Sequence, residues 1–87
     1  IIRPQILKLN YPVDGEIIGF DSEIPNELQL LPIEITGPQK NIKVKMDDEF
    51  IVQKETKYFW KITRGKHLVS LINENGEIVD HAAIEVR

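Results

Sequence analysis

The sequence predicts an all-β protein, a sandwich of about seven short strands in one small domain. Three observations predict it. No stretch of the 87 residues keeps the helical apolar period. Apolar and polar residues alternate instead, as in Ile42-Lys43-Val44-Lys45-Met46. Clusters of Gly, Pro, Asn and Asp punctuate these runs at strand-length intervals.

The elements follow in order. Gln5 to Leu9 reads as a first strand, and Tyr11-Pro12-Val13-Asp14-Gly15 as a turn, because Pro fixes φ and Asp-Gly tolerates tight reversal. Glu16 to Phe20 reads as a continuation of the same edge. Asp21 to Asn26 is polar loop, and Glu27 to Thr36 is the next strand. Pro32 cannot donate a ladder hydrogen bond, so an edge position or a bulge is expected there. Gly37 to Asn41 is loop, Ile42 to Met46 is strand, and Asp47-Asp48-Glu49 turns into Phe50-Ile51-Val52. Lys57 to Ile62 places Tyr58, Trp60 and Ile62 on one face and Phe59 on the other, between Lys57 and Lys61. Thr63-Arg64-Gly65 is a turn, Lys66 to Asn73 a strand, Glu74-Asn75-Gly76 a hairpin turn, and Glu77 to Val86 the closing strand. About seven strands is the count of an immunoglobulin/fibronectin type III-like sandwich. The expected core includes Ile6, Leu30, Ile35, Val44, Trp60, Ile62, Val69, Leu71, Ile84 and Val86.

Composition excludes several classes of function. The charge balance is 11 − 14 = −3, with both signs scattered, whereas a nucleic-acid binder carries a basic patch. Weak acidity also argues against a face that sits on anionic lipid. The absence of cysteine removes disulfides, thiolate metal sites and Cys nucleophiles. No apolar run approaches the roughly 20 residues of a membrane span. The opening Ile1-Ile2-Arg3 reads as the start of a segment excised from a longer multidomain protein.

His67 is the residue whose chemistry needs deciding. It shares a strand face with Val69, Leu71 and Asn73, after a Trp-containing strand and a Gly turn. A ring with a polar tip at such a corner packs its body inside and bonds nearby backbone, and this structural reading is favoured. Catalysis requires a nucleophile and an orienting group within reach of the imidazole. A metal requires three or four converging ligands, and the only other histidine, His81, falls on the following strand, where alternation aims it at a different face. Asp47-Asp48-Glu49 lacks the spacing of a calcium loop and reads as a solvated turn. No cofactor, metal or catalytic residue is therefore expected.

The phrases "PQILKLNYPVDGEI", "IKVKMDDEFI" and "YFWKITRGKHLVSLINENGEI" carry a family resemblance. Over nearly its whole length the chain resembles the C-terminal domain of bifunctional penicillin-binding proteins of the 1C type, class A peptidoglycan synthases of the bacterial cell envelope. Trp60, Gly65, His67, Val69, Leu71 and Gly76 match the family's Trp-Gly-His-apolar-Gly phrase. Asn73 stands where the family has Asp, Val44-Lys45 replaces its Trp region, and Asp47-Asp48 replaces its Asp-Gly. The resemblance implies an immunoglobulin-like accessory domain that is not the catalytic part. It would lie outside the cytoplasmic membrane, after glycosyltransferase and transpeptidase domains, in a parent anchored to that membrane. Its expected partners are the catalytic domains, envelope proteins or peptidoglycan, with no nucleic acid and no membrane contact of its own.

The motif residues to locate are thus Trp60, Gly65, His67 and Gly76. The candidate partner surface is Leu68, Ile72, Val79 and Ala83 on the outer face of the last two strands, with Phe59 as a separate exposed aromatic. Two alternatives stand beside the synthase module: a carbohydrate-binding domain and a structural spacer of another cell-surface protein. A sugar binder would display several of the six aromatics (Tyr11, Phe20, Phe50, Tyr58, Phe59, Trp60) on one face.

Overall fold

A computed structural model describes residues 7–37, 41–54 and 57–87. The chain runs through β1 (Lys8–Tyr11), β2 (Glu16–Ile18), a 3-10 turn (Asn26–Leu28), β3 (Leu30–Thr36), β4 (Lys43–Met46) and β5 (Glu49–Phe50). It continues through β6 (Gln53–Lys54), β7 (Lys57–Lys61), β8 (Gly65–Ile72) and β9 (Ile78–Val86). Four strands form one sheet in the order β1-β3-β7-β6, and five form the other in the order β2-β9-β8-β4-β5. Among the described residues, seven strands have three residues or more, which is the expected sandwich. The other two, β5 and β6, have two residues each and flank the crossing from one sheet to the other.

Alternation decides what each strand buries. Val44, Val69 and Leu71 are fully buried, with Met46, Ala82, Ile84 and Val86 beside them on the inner face of the five-stranded sheet. Leu9, Leu31, Ile33 and Tyr58 meet them from the four-stranded sheet. Leu30, expected in the core, is 48% exposed. Leu31 and Ile33 set the phase of β3, so Leu30 necessarily points out. Ile35 and Trp60 are half-buried against the core, and the expected core residue Ile6 lies outside the described residues.

Glu16 to Ile18 does not continue the first edge. After β1 the chain turns at the buried Pro12 and changes sheets, so β2 runs parallel to β9 in the five-stranded sheet. Backbone bonds fasten it there: Gly15 N–H to Ala83 O at 2.7 Å, Arg87 N–H to Ile18 O at 2.9 Å and Phe20 N–H to Arg87 O at 2.7 Å. The Asp14 carboxylate adds a bond from Ala83 N–H at 2.8 Å. Changing sheets gives both inner faces a strand from one short segment. Asp80 links the two layers by accepting from Leu9 N–H at 2.8 Å.

Pro32 lies inside a sheet rather than at its edge, yet it costs no ladder bond. Ile62 N–H donates to Gln29 O at 3.0 Å. Antiparallel alternation then aims the backbone of Leu31 and Ile33 at β7, and that of Leu30 and Pro32 away from it. On that other side β1 reaches only as far as Glu34. The missing N–H of Pro32 therefore faces a stretch with no partner strand.

Candidate functional site

Thr63 to Leu68 builds a corner where the two sheets meet. Gly65 opens β8 with φ of 120°, a value that L side chains avoid; there is room for a Cβ, so conformation and not space calls for glycine. The turn delivers His67 onto the inner face of β8, half-buried, opposite Ile84. Its ring meets Trp60 edge-on, with centroids 4.7 Å apart and planes at 65°. Nδ1 lies 2.7 Å from Asp47 Oδ2, and Nε2 lies 2.9 Å from Thr63 O. Asp47 itself has φ of 55°. Its N–H donates to Leu68 O at 2.8 Å, and its Oδ1 accepts from Leu68 N–H at 2.9 Å. The β4–β5 turn is thus clipped onto β8 by one acidic residue.

The corner also brings the Thr63 hydroxyl to 3.3 Å from His67 Nε2. Hydroxyl, imidazole and carboxylate are the three parts of a nucleophile relay, a grouping the sequence reading missed because their spacing in the chain carries no signal. The geometry does not serve one. Nε2 lies nearer to the Thr63 carbonyl, at 2.9 Å, than to the hydroxyl, and the hydroxyl sits on an exposed turn with no further group beside it, among the described residues, to bind a reacting centre. Both ring nitrogens lie within hydrogen-bond distance of turn residues, Asp47 and Thr63.

The two histidines do not meet. His81 is paired with Ser70 on the outer face, opposite to the face of His67. Among the described residues, no three His, Asp or Glu side chains converge as metal ligands would. Asp48 and Glu49 are exposed, and Asp47 is occupied by its clip.

The partner-surface candidates divide among three places. Leu68, 46% exposed, stands opposite Ala83 and beside Ile17 in an open, mainly apolar depression of about 480 Å³ on the five-stranded sheet. Ile17 was not among the sequence candidates; its exposure depends on β2 having changed sheets. Ile72 is half-buried and lies further along, opposite the exposed Ile78, with Val79 in the bulge beside them. The Ser70–His81 pair separates these two apolar groups. Phe59 projects from the other sheet altogether, opposite Pro32. Gly76 closes the β8–β9 hairpin at φ of 82°, where Asn73 Oδ1 accepts from the N–H groups of Asn75 and Glu77. Asn73, the departure from the family's Asp, makes the bonds that an Asp would make there.

The clip predicts a pH dependence. The side-chain bond to His67 and the bond from Leu68 N–H hold the Asp47 carboxyl below the usual carboxylate range. A carboxyl depressed in the folded state stabilises above its unfolded value and loses that contribution as pH falls through its folded value. The destabilisation caused by Asp47→Asn is therefore expected to be full at pH 7 and to shrink progressively below about pH 5. Urea melts of both proteins at several pH values check this; a gap that does not change with pH contradicts the clip.

Two packed sheets that share, among the described residues, seven strands of three residues or more define an immunoglobulin/fibronectin type III-like sandwich. In agreement, the chain is similar to the fibronectin(III)-like modules of CbhA from Clostridium thermocellum, at 20% identity over 93% of each chain and a TM-score of 0.57. That likeness concerns the fold alone. The chain belongs to the penicillin-binding protein C-terminus family, whose pattern it matches over residues 3–86. No curated protein matches it significantly. Family and fold together fit an accessory, non-catalytic domain of a cell-envelope protein. Among the described residues, no helix is long and apolar enough to cross a membrane.

Proposed function

We propose that the chain is a non-catalytic module of a bifunctional peptidoglycan synthase, held outside the cytoplasmic membrane, that docks to protein through its outer sheet faces. The partner is either the catalytic domains of its own parent or another envelope protein. The family match along residues 3–86 carries this reading. The engaged nitrogens of His67 and the exposed apolar residues on both sheets support it. The aromatics do not separate the readings: Tyr58 is buried, but Phe50, Phe59 and Trp60, although they come from both sheets, line one open depression.

One observation favours direct glycan binding as a second reading. Trp60 lines an open cleft with Met46, Asp48, Glu49, Lys61 and Thr63, an aromatic among polar groups. An amide NMR titration of the 87-residue chain with soluble peptidoglycan fragments separates the two. Protein docking predicts no shifts with fragments at millimolar concentration, and line broadening on an outer face when the remainder of the parent synthase is added. Fragment-induced shifts clustered at Trp60, Lys61 and Thr63 would replace protein docking with glycan binding. Silence toward both additions would leave a spacer.

A further inference from the structure

The outer face of the four-stranded sheet has a composition of its own. The inward phase of Leu9, Leu31, Ile33 and Tyr58 turns Lys8, Leu30, Pro32, Glu34, Lys57, Phe59 and Lys61 outward. Lys54, paired with Lys57, joins them. In register, Pro32 stands opposite Phe59 and Leu30 opposite Lys61. Leu30 is 48% and Phe59 37% exposed, and a shallow depression of about 250 Å³ opens beside Pro32, Glu34, Lys57 and Phe59. Lys57 and Lys61 flank Phe59 along β7, Lys54 stands beside Lys57, and Lys8 lies at the far end of the face opposite Thr36, with Glu34 the opposing charge on the described strands. Among the described residues none of the four lysines is in an ion pair.

The chain as a whole is acidic. The net charge is −3, and many of its carboxylates sit in turns: Asp14, Asp21, Glu23, Asp47, Asp48, Glu74 and Glu77. Lys43 and Lys45 stand over the exposed Phe50 on the other sheet, at 5.4 and 5.7 Å from its ring centroid, but this face adds Leu30 and Pro32 to its aromatic, and complementary charge governs which surfaces meet productively. The lysines of this face disfavour a second copy docking face to face, since it would set lysines against lysines. Adding a strand beside Leu30 and Pro32 is also disfavoured, because Pro32 offers no N–H there.

We infer that this face, centred on Phe59, Leu30 and Pro32, docks an acidic segment of a partner protein in which apolar side chains lie between carboxylates. The apolar side chains cover Phe59 and Leu30, and the carboxylates reach Lys57, Lys61 and their neighbours. A simple polyanion lacks the apolar half of this match. The assignment rests on the protein-docking reading and narrows it to one face and one partner chemistry.

The test uses the isotope-labelled 87-residue chain and two short synthetic peptides. In one, Glu residues flank Leu and Phe; in the other, Lys replaces every Glu. The acidic peptide is expected to shift amides of Leu30 to Glu34 and Lys57 to Lys61, more weakly as salt rises. The charge-reversed variant Lys57→Glu/Lys61→Glu, altered only at exposed positions, is expected to keep its melting temperature and to lose binding by roughly tenfold or more. No shifts with the acidic peptide, equal shifts with the basic one, or shifts confined to Leu68 and Ala83 would each overturn the assignment. So would polyglutamate binding as tightly as the acidic peptide. None of these outcomes bears on glycan binding, which the peptidoglycan titration decides separately.

Discussion

Replacing Leu71 by Ala is expected to remove about 3 kcal/mol of stability, within the roughly 2–5 kcal/mol that buried Leu→Ala changes cost. Leu71 has no exposed surface and sits mid-strand in β8, paired with Val44 on one side and Asp80 on the other. Nearby residues can close the cavity only by moving strands that are bonded on both sides. A domain of this size holds roughly 4–13 kcal/mol in total, so the loss is a large share of it. At roughly 4–8 °C per kcal/mol, the melting temperature should fall by about 12–24 °C. Leu68→Ala, three positions earlier on the same strand but outward, should change stability by no more than about 0.5 kcal/mol. Thermal and urea melts of the two variants check the register of β8 directly. Reversed losses would mean that the strand is slipped by one residue, which would exchange its faces, and equal losses would contradict a strand with one buried and one exposed face.

Trp60→Ala is expected to cost about 2–3 kcal/mol, toward the low end for Trp truncations or below it. A fully buried tryptophan, as read from the alternation of Lys57 to Ile62, would cost roughly 3–5 kcal/mol. The ring is half-buried because β7 carries it to the open end of the sandwich, where its outer side lines the cleft with Asp48 and Lys61. What it does bury lies against the core and the His67 ring. A double-mutant cycle with His67→Ala should therefore show coupling of about 0.5–1.5 kcal/mol between the two rings. Additive effects would contradict the edge-on contact, and a loss near 5 kcal/mol would place Trp60 deep in the core.

These two residues illustrate how much of the molecule can be read along the chain. A period of two is a local property, so Ile42, Val44 and Met46 on one face, and Val69 with Leu71 on one face, followed from neighbouring side chains alone. The turns at Gly65 and Gly76 were legible for the same reason: a positive φ is a local demand, and glycine meets it. The fold class needed no more than these signals repeated at strand spacing. Leu30 shows where they run out. Its segment, Leu30-Leu31-Pro32-Ile33, is apolar at four successive positions, and only pairing with β1 and β7 chooses which pair goes inside.

The site was legible in part. His67 was recognisable as a corner residue from the Trp-Gly-His phrase, but its carboxylate partner was not. Asp47 lies 20 residues earlier and read as one member of a solvated acidic turn. The contact exists because β4 and β8 pair, with Met46 opposite Val69.

The sequence by itself determined the class of fold, the family and most of the inward-facing residues, because alternation and turn chemistry act within a few residues. The tertiary structure alone decided that β2 leaves the first sheet, that Asp47 clips His67, and that Phe59 shares its face with Leu30 and Pro32, away from Leu68. Each of these depends on which strand lies beside which. Strand neighbourhood is set by closing one core between two sheets, a requirement on the whole chain that no local stretch encodes.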